Sequence, residues 1–594
     1  MGMTLRFESD LSLNIQHRAS YRSGCDVSAL VKPGVVGGCD GFNAEEHLGL
    51  LARACIPAES SVPAVRVLHI SLYCYKSFPI RIFHALSLKD GLDSYAIFFK
   101  NNFTNDHLPV TDIELALLRK RVSAIDPHLI TISVMAPYVV AARRVVAEIR
   151  SVSSSPIIIG GKYPTISPVD AVDIADYACK GEGELPLLRV FERLRRSKSD
   201  FRGIRGLWYK DDDSQAVDMG QEVLYQELDH IPYPAIGERN MSFIELNEES
   251  VRDPEIDDEE MLMMAGRGCV YLCSFCVNSV LIPMNRGNGR FVRVRTPDHV
   301  LEEIDYRRTK GSKARRISFN DEVFGVFDDW VAEFAAKYKK AGGLPFECEL
   351  VPKLIKEENV RTLADAGLFS LHFGIQSGHD KVRRDIMNRP GDNRELLEKA
   401  LILKKFNIDR QFDVILGNPF DSVETFEAAI DLLLSMPRPM KLNTYKMQFF
   451  PHYPFTEMAL EAGHIQPEDV SYEKVAESTL YNFIYRPKFS AFSRRNYLEN
   501  CIYILPWDRP LIRWVVGSLR QRHNLLLGFV ASGLAILRYN VDFKQRPALI
   551  WLRRFALGIR LLVRGDLASL ARRATKVLRS PTSYRPTTGR VSSR

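Results

Sequence analysis

The chain has 594 residues, 46% of them hydrophobic and 26% charged, with a formal net charge of +7. This is the composition of a soluble globular protein, and the length excludes a single ordinary core, so two to four folding units are expected. From Cys501 to Arg594, 18 Lys and Arg face three acids, a net of +15, so a basic C-terminal region follows a body of net −8.

Residues 1–60 show no clear period and receive no assignment. Met1 to Asp10 has no apolar stretch and no secretory signal is visible, which predicts a reducing cytosol. Among the ten cysteines, Cys25, Cys39, Cys55, Cys74, Cys179, Cys348 and Cys501 are isolated and read as core thiols, while the other three lie within eight residues.

Over 61–200, apolar runs alternate with helical spacing. Strands are predicted at Val65–Leu72, Ser94–Phe99, Leu129–Val134, Pro156–Ile159 and Asp176–Cys179, with helices such as Asp112–Ser123 and Val139–Arg150. Short, fully apolar strands between helices indicate a doubly wound, Rossmann-like parallel sheet, whose ligands sit at the C-terminal strand ends. Two such ends carry Gly160-Gly161-Lys162-Tyr163-Pro164-Thr165 and Gly181-Glu182-Gly183-Glu184, where paired glycines let backbone approach a bulky ligand. Ordinary tight turns are the alternative. Residues 201–255, with Asp211-Asp212-Asp213, Pro232 and Pro234, read as a connector.

A second α/β region spans 256–460, with strands predicted at Met261–Ala265, Arg316–Phe319, Phe346–Leu350, Ser370–Ile375, Phe412–Leu416 and Lys446–Phe450. Six βα units in this length suit a partial (β/α)6 barrel, with chemistry at the C-terminal strand ends. The first strand leads into Gly266-Arg267-Gly268-Cys269-Val270-Tyr271-Leu272-Cys273-Ser274-Phe275-Cys276, a CxxxCxxC. Three thiolates can take three corners of a cubane and leave the fourth iron open to a substrate. Structural zinc would want a fourth ligand nearby, but His299 and Cys348 are each alone.

This cluster, with Phe275 before its last cysteine, resembles the radical S-adenosylmethionine (radical SAM) signature. Landmarks in the same order follow: Phe319-Asn320-Asp321-Glu322, Gly374-Ile375-Gln376-Ser377-Gly378, Gly417-Asn418-Pro419, and Pro454 with Thr456. The resemblance implies a 4Fe–4S cluster on Cys269, Cys273 and Cys276, with S-adenosylmethionine held near Phe275, Gly374, Gln376, Ser377 and Gly417. It also implies reductive cleavage to a 5′-deoxyadenosyl radical, fed by an electron donor of the flavodoxin or ferredoxin type. Gln376 stands where relatives more often have Glu. Asp321 and Glu322 read as a solvated turn, and no catalytic acid or base is assigned.

Residues 61–200 resemble the cobalamin-binding domain of the subfamily that includes the anaerobic magnesium-protoporphyrin cyclase and many methylases. The resemblance places Ser133, Gly160, Gly161, Thr165, Gly181 and Glu182 around cobalamin. The DxHxxG that supplies a cobalt ligand elsewhere is missing, since Tyr73-Cys74-Tyr75-Lys76-Ser77-Phe78-Pro79 follows the first strand. Asp126-Pro127-His128 mimics half of that motif before a different strand and reads as a decoy.

In the mainly helical region 461–594, Leu525–Leu537 would form a helix of ~20 Å, too short for a bilayer core of ~30 Å. Ala548–Val563 sets Trp551, Leu552, Phe555, Ile559 and Leu562 at helical spacing among arginines. It could dock on the barrel or lie on an anionic membrane surface, which allows a cytoplasmic protein with peripheral membrane contact. Nucleic acid ranks third because no recognisable module accompanies the charge. The last dozen residues read as a disordered tail.

The expectation is a cobalamin-dependent radical SAM enzyme that methylates an unactivated carbon of a small-molecule or lipid-like substrate. A radical cyclase or rearrangement enzyme on the same scaffold is the alternative, and a non-catalytic corrinoid or iron–sulfur sensor is the alternative from another class.

Overall fold

The computed structural model describes residues 65–542 apart from 102–108, 477–486, 488–492, 508 and 523. The expectations for residues 1–60, Ala548–Val563 and the last dozen residues lie outside the described residues.

The first sheet is built on β1 (Arg66–Leu72), β2 (Asp93–Phe99), β3 (Leu129–Ser133), β4 (Ile157–Gly160) and β5 (Tyr177–Cys179), parallel in the order β5-β4-β3-β1-β2. These strands are apolar over most of their length because helices cover both faces. Leu68, Ile70 and Leu72 pack with α2 (Asp112–Ile125) and α3 (Val139–Arg150), whereas Val67 points to the opposite core with α1 (Phe78–Lys89) and α4 (Glu184–Arg195). Among the buried polar residues of these strands, His69 lies between the hydroxyls of Thr131 (2.7 Å) and Ser87 (2.8 Å), and burial holds its pKa down to about 3. It is therefore a neutral core residue. The order reverses between β1 and β3, which opens a crevice at their C-terminal ends.

The segment read as a connector belongs largely to this sheet. β6 (Leu207–Lys210) and β7 (Ala216–Asp218) add antiparallel strands beyond β5, while β8 (Met241–Glu245) and β9 (Glu248–Ser250) extend the other edge beyond β2. These strands are three to five residues long and separated by turn residues, so their alternation is too brief to read.

The second sheet contains β10 (Glu260–Met263), β13 (Arg316–Phe319), β14 (Phe346–Glu349), β15 (Leu368–Gln376), β16 (Asp409–Leu416) and β17 (Lys441–Lys446), all parallel and in chain order. A two-stranded antiparallel ribbon, β11 (Gly266–Arg267) with β12 (Arg293–Val294), follows β10. Helices α5 (Pro297–Thr309), α6 (Asp328–Lys340), α7 (Glu357–Ala366), α8 (Asn393–Lys405) and α9 (Val423–Ser435) cover its outer face. The architecture is the expected partial barrel, with one correction. The last strand is Lys441–Lys446 rather than Lys446–Phe450. Met447 and Phe449 are apolar because they pack with Phe275, Met387 and Phe455 over the mouth, and not because they form a strand.

Three C-terminal helices, α10 (Arg494–Ile504), α11 (Pro510–Gln521) and α12 (Leu525–Asp542), join the barrel core through Tyr497, Cys501, Val516, Ala531 and Ala535. Helix α12 runs past the expected Leu537, and no described helix is long and apolar enough to cross a membrane.

Candidate active site

The cysteine loop starts where β10 ends, and its course is fixed from several sides. Gly268 has φ +93°, and a Cβ there would lie 2.4 Å from the Phe291 carbonyl oxygen, so only glycine fits. The Cys276 N–H donates to the Cys273 carbonyl (2.9 Å), and the Ser274 N–H donates to the Met387 carbonyl (3.0 Å). The Ser274 hydroxyl donates to the Ile386 carbonyl (2.7 Å), and Asn388 donates to the Leu272 carbonyl (2.8 Å).

Two carboxylates read as a solvated turn prove to be part of this loop. Asp321 is buried and accepts the N–H groups of Ala265 (3.0 Å) and Gly266, while Glu322 accepts the Gly268 N–H (3.0 Å). Burial pushes the Asp321 carboxyl up to about 7 despite those two backbone donors.

The three cysteines are close enough to perturb one another. Burial pushes the Cys269 thiol up to about 12, with further upward contributions from Cys273 and Cys276, and burial also raises Cys276. Left alone, Cys269 and Cys276 would be thiols, poor nucleophiles that a bound metal's charge would deprotonate. Among the described residues no three or more His, Cys, Asp or Glu side chains gather as a single-ion site. The candidates for a fourth zinc ligand lie elsewhere: Cys348 is buried in the helix-facing core, and His299 accepts from Arg295 (2.9 Å). The loop thus offers three thiolates with neither of these two residues as a fourth ligand, the set that a cubane with one open iron takes and a structural zinc ion does not.

Arg389 connects this loop to the glycine motif on β15. Its guanidinium donates to the Cys273 Sγ (3.5 Å) and to the Gly374 carbonyl (2.8 Å), and it stacks over Tyr271 at 5.2 Å. At that end of β15 the register with β16 shifts between Gly374 and Gln376, and Gln376 has a left-handed φ of +65°. Non-glycine residues adopt that conformation at a cost, usually where a site requires it. Ser377 accepts the His379 N–H through its hydroxyl, and Gly417, at the end of β16, donates its N–H to Glu499 of α10. Three buried polar atoms around this mouth lack a hydrogen-bond partner: Gln376 Oε1, Asn418 Nδ2 and Thr456 Oγ1. Buried donors and acceptors are normally paired. A ligand with amino, carboxylate and hydroxyl groups would supply what these atoms lack, so S-adenosylmethionine fits here.

A cavity of about 1010 Å³ opens between the two sheets. Its walls include Ser133, Gly160, Gly161, Thr165, Gly181 and Glu182, all the residues placed around cobalamin above, and on the barrel side Gly266, Gly268 and Asn320–Glu322. It lies at the β1/β3 switch point and is as large as ordinary small-molecule pockets become, ~300–1000 Å³. The Thr165 hydroxyl donates to the Gly161 carbonyl (2.8 Å) and accepts the Gly181 N–H (3.1 Å), joining the two glycine loops. Gly161 has φ +107°, and a Cβ would sit 2.7 Å from the Val134 carbonyl oxygen. A bulky planar cofactor fits this concave site. Glu182 lines this cavity, and its carboxylate is engaged by Arg293 and Arg267. The motif Asp126-Pro127-His128 lies at the opposite end of the sheet, where His128 Nδ1 accepts the Arg66 N–H (3.0 Å) at the start of β1.

The barrel lumen is polar and was not legible in advance. Glu347 accepts from Ser318 (3.1 Å) and Gln411 (3.3 Å). One layer nearer the mouth, His372 pairs with Glu349 (3.2 Å) and Asp413 (2.7 Å). Burial lowers the His372 pKa, but the two carboxylates outweigh it and push it up to about 10. Glu349 also borders the cavity, so lumen and cavity share a wall.

Residues 263–433 match the Radical SAM superfamily. An uncharacterized methyltransferase of Pyrococcus horikoshii is 21% identical over 324 residues, which cover 54% of this chain and 66% of that protein, just under two thirds. Among solved structures, the radical S-adenosylmethionine methyltransferase TsrM from Kitasatospora setae, with cobalamin and a 4Fe–4S cluster bound, has a TM-score of 0.54 at 17% identity. It covers 67% of this chain and 78% of its own. The cobalamin-dependent S-adenosylmethionine radical enzyme OxsB, with aqua-cobalamin bound, has a TM-score of 0.56 at 13% identity, covering 85% of this chain and 80% of its own. At these identities the likenesses establish the fold.

Proposed function

We propose that this chain, a radical SAM enzyme with a cobalamin-type α/β domain ahead of its barrel, is a cobalamin-dependent methyltransferase acting on an unactivated carbon of a small-molecule or lipid-like substrate. When bound, the cluster and S-adenosylmethionine supply a 5′-deoxyadenosyl radical, and the corrinoid supplies a methyl group. The reading rests on one observation: a single cavity is walled on one side by the switch-point loops of the first sheet and on the other by the approach to the cysteine loop.

The chain's own residues then have definable tasks. Cys269, Cys273 and Cys276 hold the cluster, with Asp321 and Glu322 fixing the backbone before it. Arg389 keeps the Gly374–Ser377 segment against that loop. Gln376, Asn418 and Thr456 offer unpaired polar atoms to S-adenosylmethionine. Ser133, Gly160, Gly161 and Thr165 provide a close backbone surface for the corrin. The Glu349–His372–Asp413 layer gives the lumen a charged floor that borders the cavity through Glu349. A soluble reductant and a substrate are the required partners, and contact with a membrane surface is an additional proposal that rests on the basic region after Cys501.

Incubation of the protein, reconstituted without oxygen, with reductant and methyl-deuterated S-adenosylmethionine tests the reading. It predicts 5′-deoxyadenosine from the parent and none above background from Cys269→Ala, with deuterated methyl reaching a substrate supplied as cell extract. Equal cleavage by both proteins would contradict it.

A further inference from the structure

Glu182 sits on the loop after β5, inside the wall expected to hold a corrin, yet its carboxylate is turned toward the barrel. Arg293 of β12 grips it with both guanidinium nitrogens (2.9 and 2.7 Å), and Arg267 of β11 reaches it at 3.2 Å. The Tyr225 N–H also donates to it (3.1 Å), and Arg293 closes the ring by donating to the Tyr225 carbonyl (2.8 Å). Arg267 extends a second bond to Glu184 (2.7 Å), two residues further along at the start of α4. The Arg293 side chain is 4% exposed, Glu182 20% and Glu184 9%, so two cations and two anions neutralise each other largely out of water.

Buried ion pairs of this kind contribute little net stability compared with apolar packing, because desolvation offsets the attraction. What a bidentate guanidinium–carboxylate pair does supply is direction: two parallel bonds fix both distance and angle. Here the fixed parts are telling. One end is the loop of Gly181, whose N–H is held by Thr165 and through it by Gly161. The other end is the ribbon β11–β12, and Arg267 lies two residues before Cys269.

We infer that Glu182, with Arg293 and Arg267, is an interdomain lock that sets the register between the corrinoid loops and the cluster loop. This rests on the proposed binding of both cofactors to this chain. These are positioning residues, and their removal leaves the domains joined elsewhere. Arg81 pairs with Asp253 (2.8 Å) and Glu255 (2.9 Å), Arg307 pairs with Glu255 (2.9 Å), and Lys76 pairs with Asp258 (2.8 Å). The variants therefore keep their fold while the register of the two loops relaxes.

The test uses the full chain loaded with hydroxocobalamin and its iron–sulfur cluster, as parent, Glu182→Gln and Arg293→Lys. Glu182→Gln keeps the side chain's size but removes its charge and one accepting oxygen, and Arg293→Lys keeps the charge but loses the planar fork, so each breaks the bidentate pair. With cobalt reduced to the paramagnetic cob(II)alamin, reduction of the cluster speeds cobalt spin relaxation to a degree set by their separation. The lock predicts that this enhancement falls at least about twofold in both variants at unchanged cobalt and iron content. Unchanged enhancement in both overturns it. If a variant loses a cofactor, amide hydrogen exchange decides: the lock predicts about tenfold faster exchange in both 181–184 and 264–268, whereas faster exchange only beside the substituted residue overturns it. A parent that binds no cobalt would instead overturn the proposed function, and the lock with it.

Discussion

Asp321→Ala removes an acceptor that two buried N–H groups share. Ala265 is 1% exposed and Gly266 is buried, so water cannot replace the lost carboxylate without opening the loop. Each stranded group costs ~1–3 kcal/mol, or ~2–6 kcal/mol for the pair. Taking the lower bound, an opened 264–268 segment becomes ~30 times more populated, since ~1.4 kcal/mol is a tenfold change. The effect is local, because β10 and β13 remain paired through Met263 and Phe319. The assay is the rate at which a chelator strips iron from the anaerobically loaded protein, read beside amide exchange of the same segment. Both should accelerate by that factor or more, while the denaturation of the first sheet stays unchanged. Asp321→Asn, which keeps one accepting oxygen, should fall between the two. Iron release and exchange within twofold of the parent would refute the role given to Asp321.

Gly268→Ala forces a Cβ to within 2.4 Å of a carbonyl at a left-handed φ, a strain of ~1–3 kcal/mol before any clash, so cluster content should collapse while cobalt remains. Gly161→Ala should do the reverse, with cobalt lost and iron retained, because its Cβ meets the Val134 backbone at the cavity wall. Arg389→Met removes the bridge between Cys273 and Gly374 and should weaken S-adenosylmethionine binding about tenfold in equilibrium dialysis, with iron content unchanged. His372 gives a pH signature. Its folded pKa, about 10, is raised above the unfolded value, so its contribution is fully present below about 6.5 and is lost as pH rises through 10. The urea midpoint of the parent, relative to His372→Gln, should therefore decline across that window, and a difference independent of pH would contradict the ion pairs with Glu349 and Asp413.

What could be read in advance was local chemistry. The cysteine spacing, the Gly160-Gly161 and Gly181 loops and the apolar strand runs are contiguous signals, and the structure places the loops where ligands of such sheets sit. What escaped was long-range. Asp321 looked like turn chemistry because its partners lie 55 and 56 residues earlier, and Arg389 is 116 residues from the thiol that it contacts. Glu182 was legible as a cavity residue but not as an ion-pair centre, since Arg293 is 111 residues away. The edge strands between 207 and 250 were hidden by their shortness, and β17 by its polar lumen face, where Asn443 donates to Asp413 (3.0 Å). An inward polar face against an outward apolar one reads as a weak strand until the closed sheet shows which side is the lumen.

The account stands or falls on two cofactors meeting in one chain, so the most direct measurement is metal content after anaerobic purification from cells supplied with cobalamin. About one cobalt and about four iron per chain are expected, with Cys269→Ala losing iron and keeping cobalt. Iron without cobalt would reduce the first domain to a scaffold and leave methyl transfer without its donor.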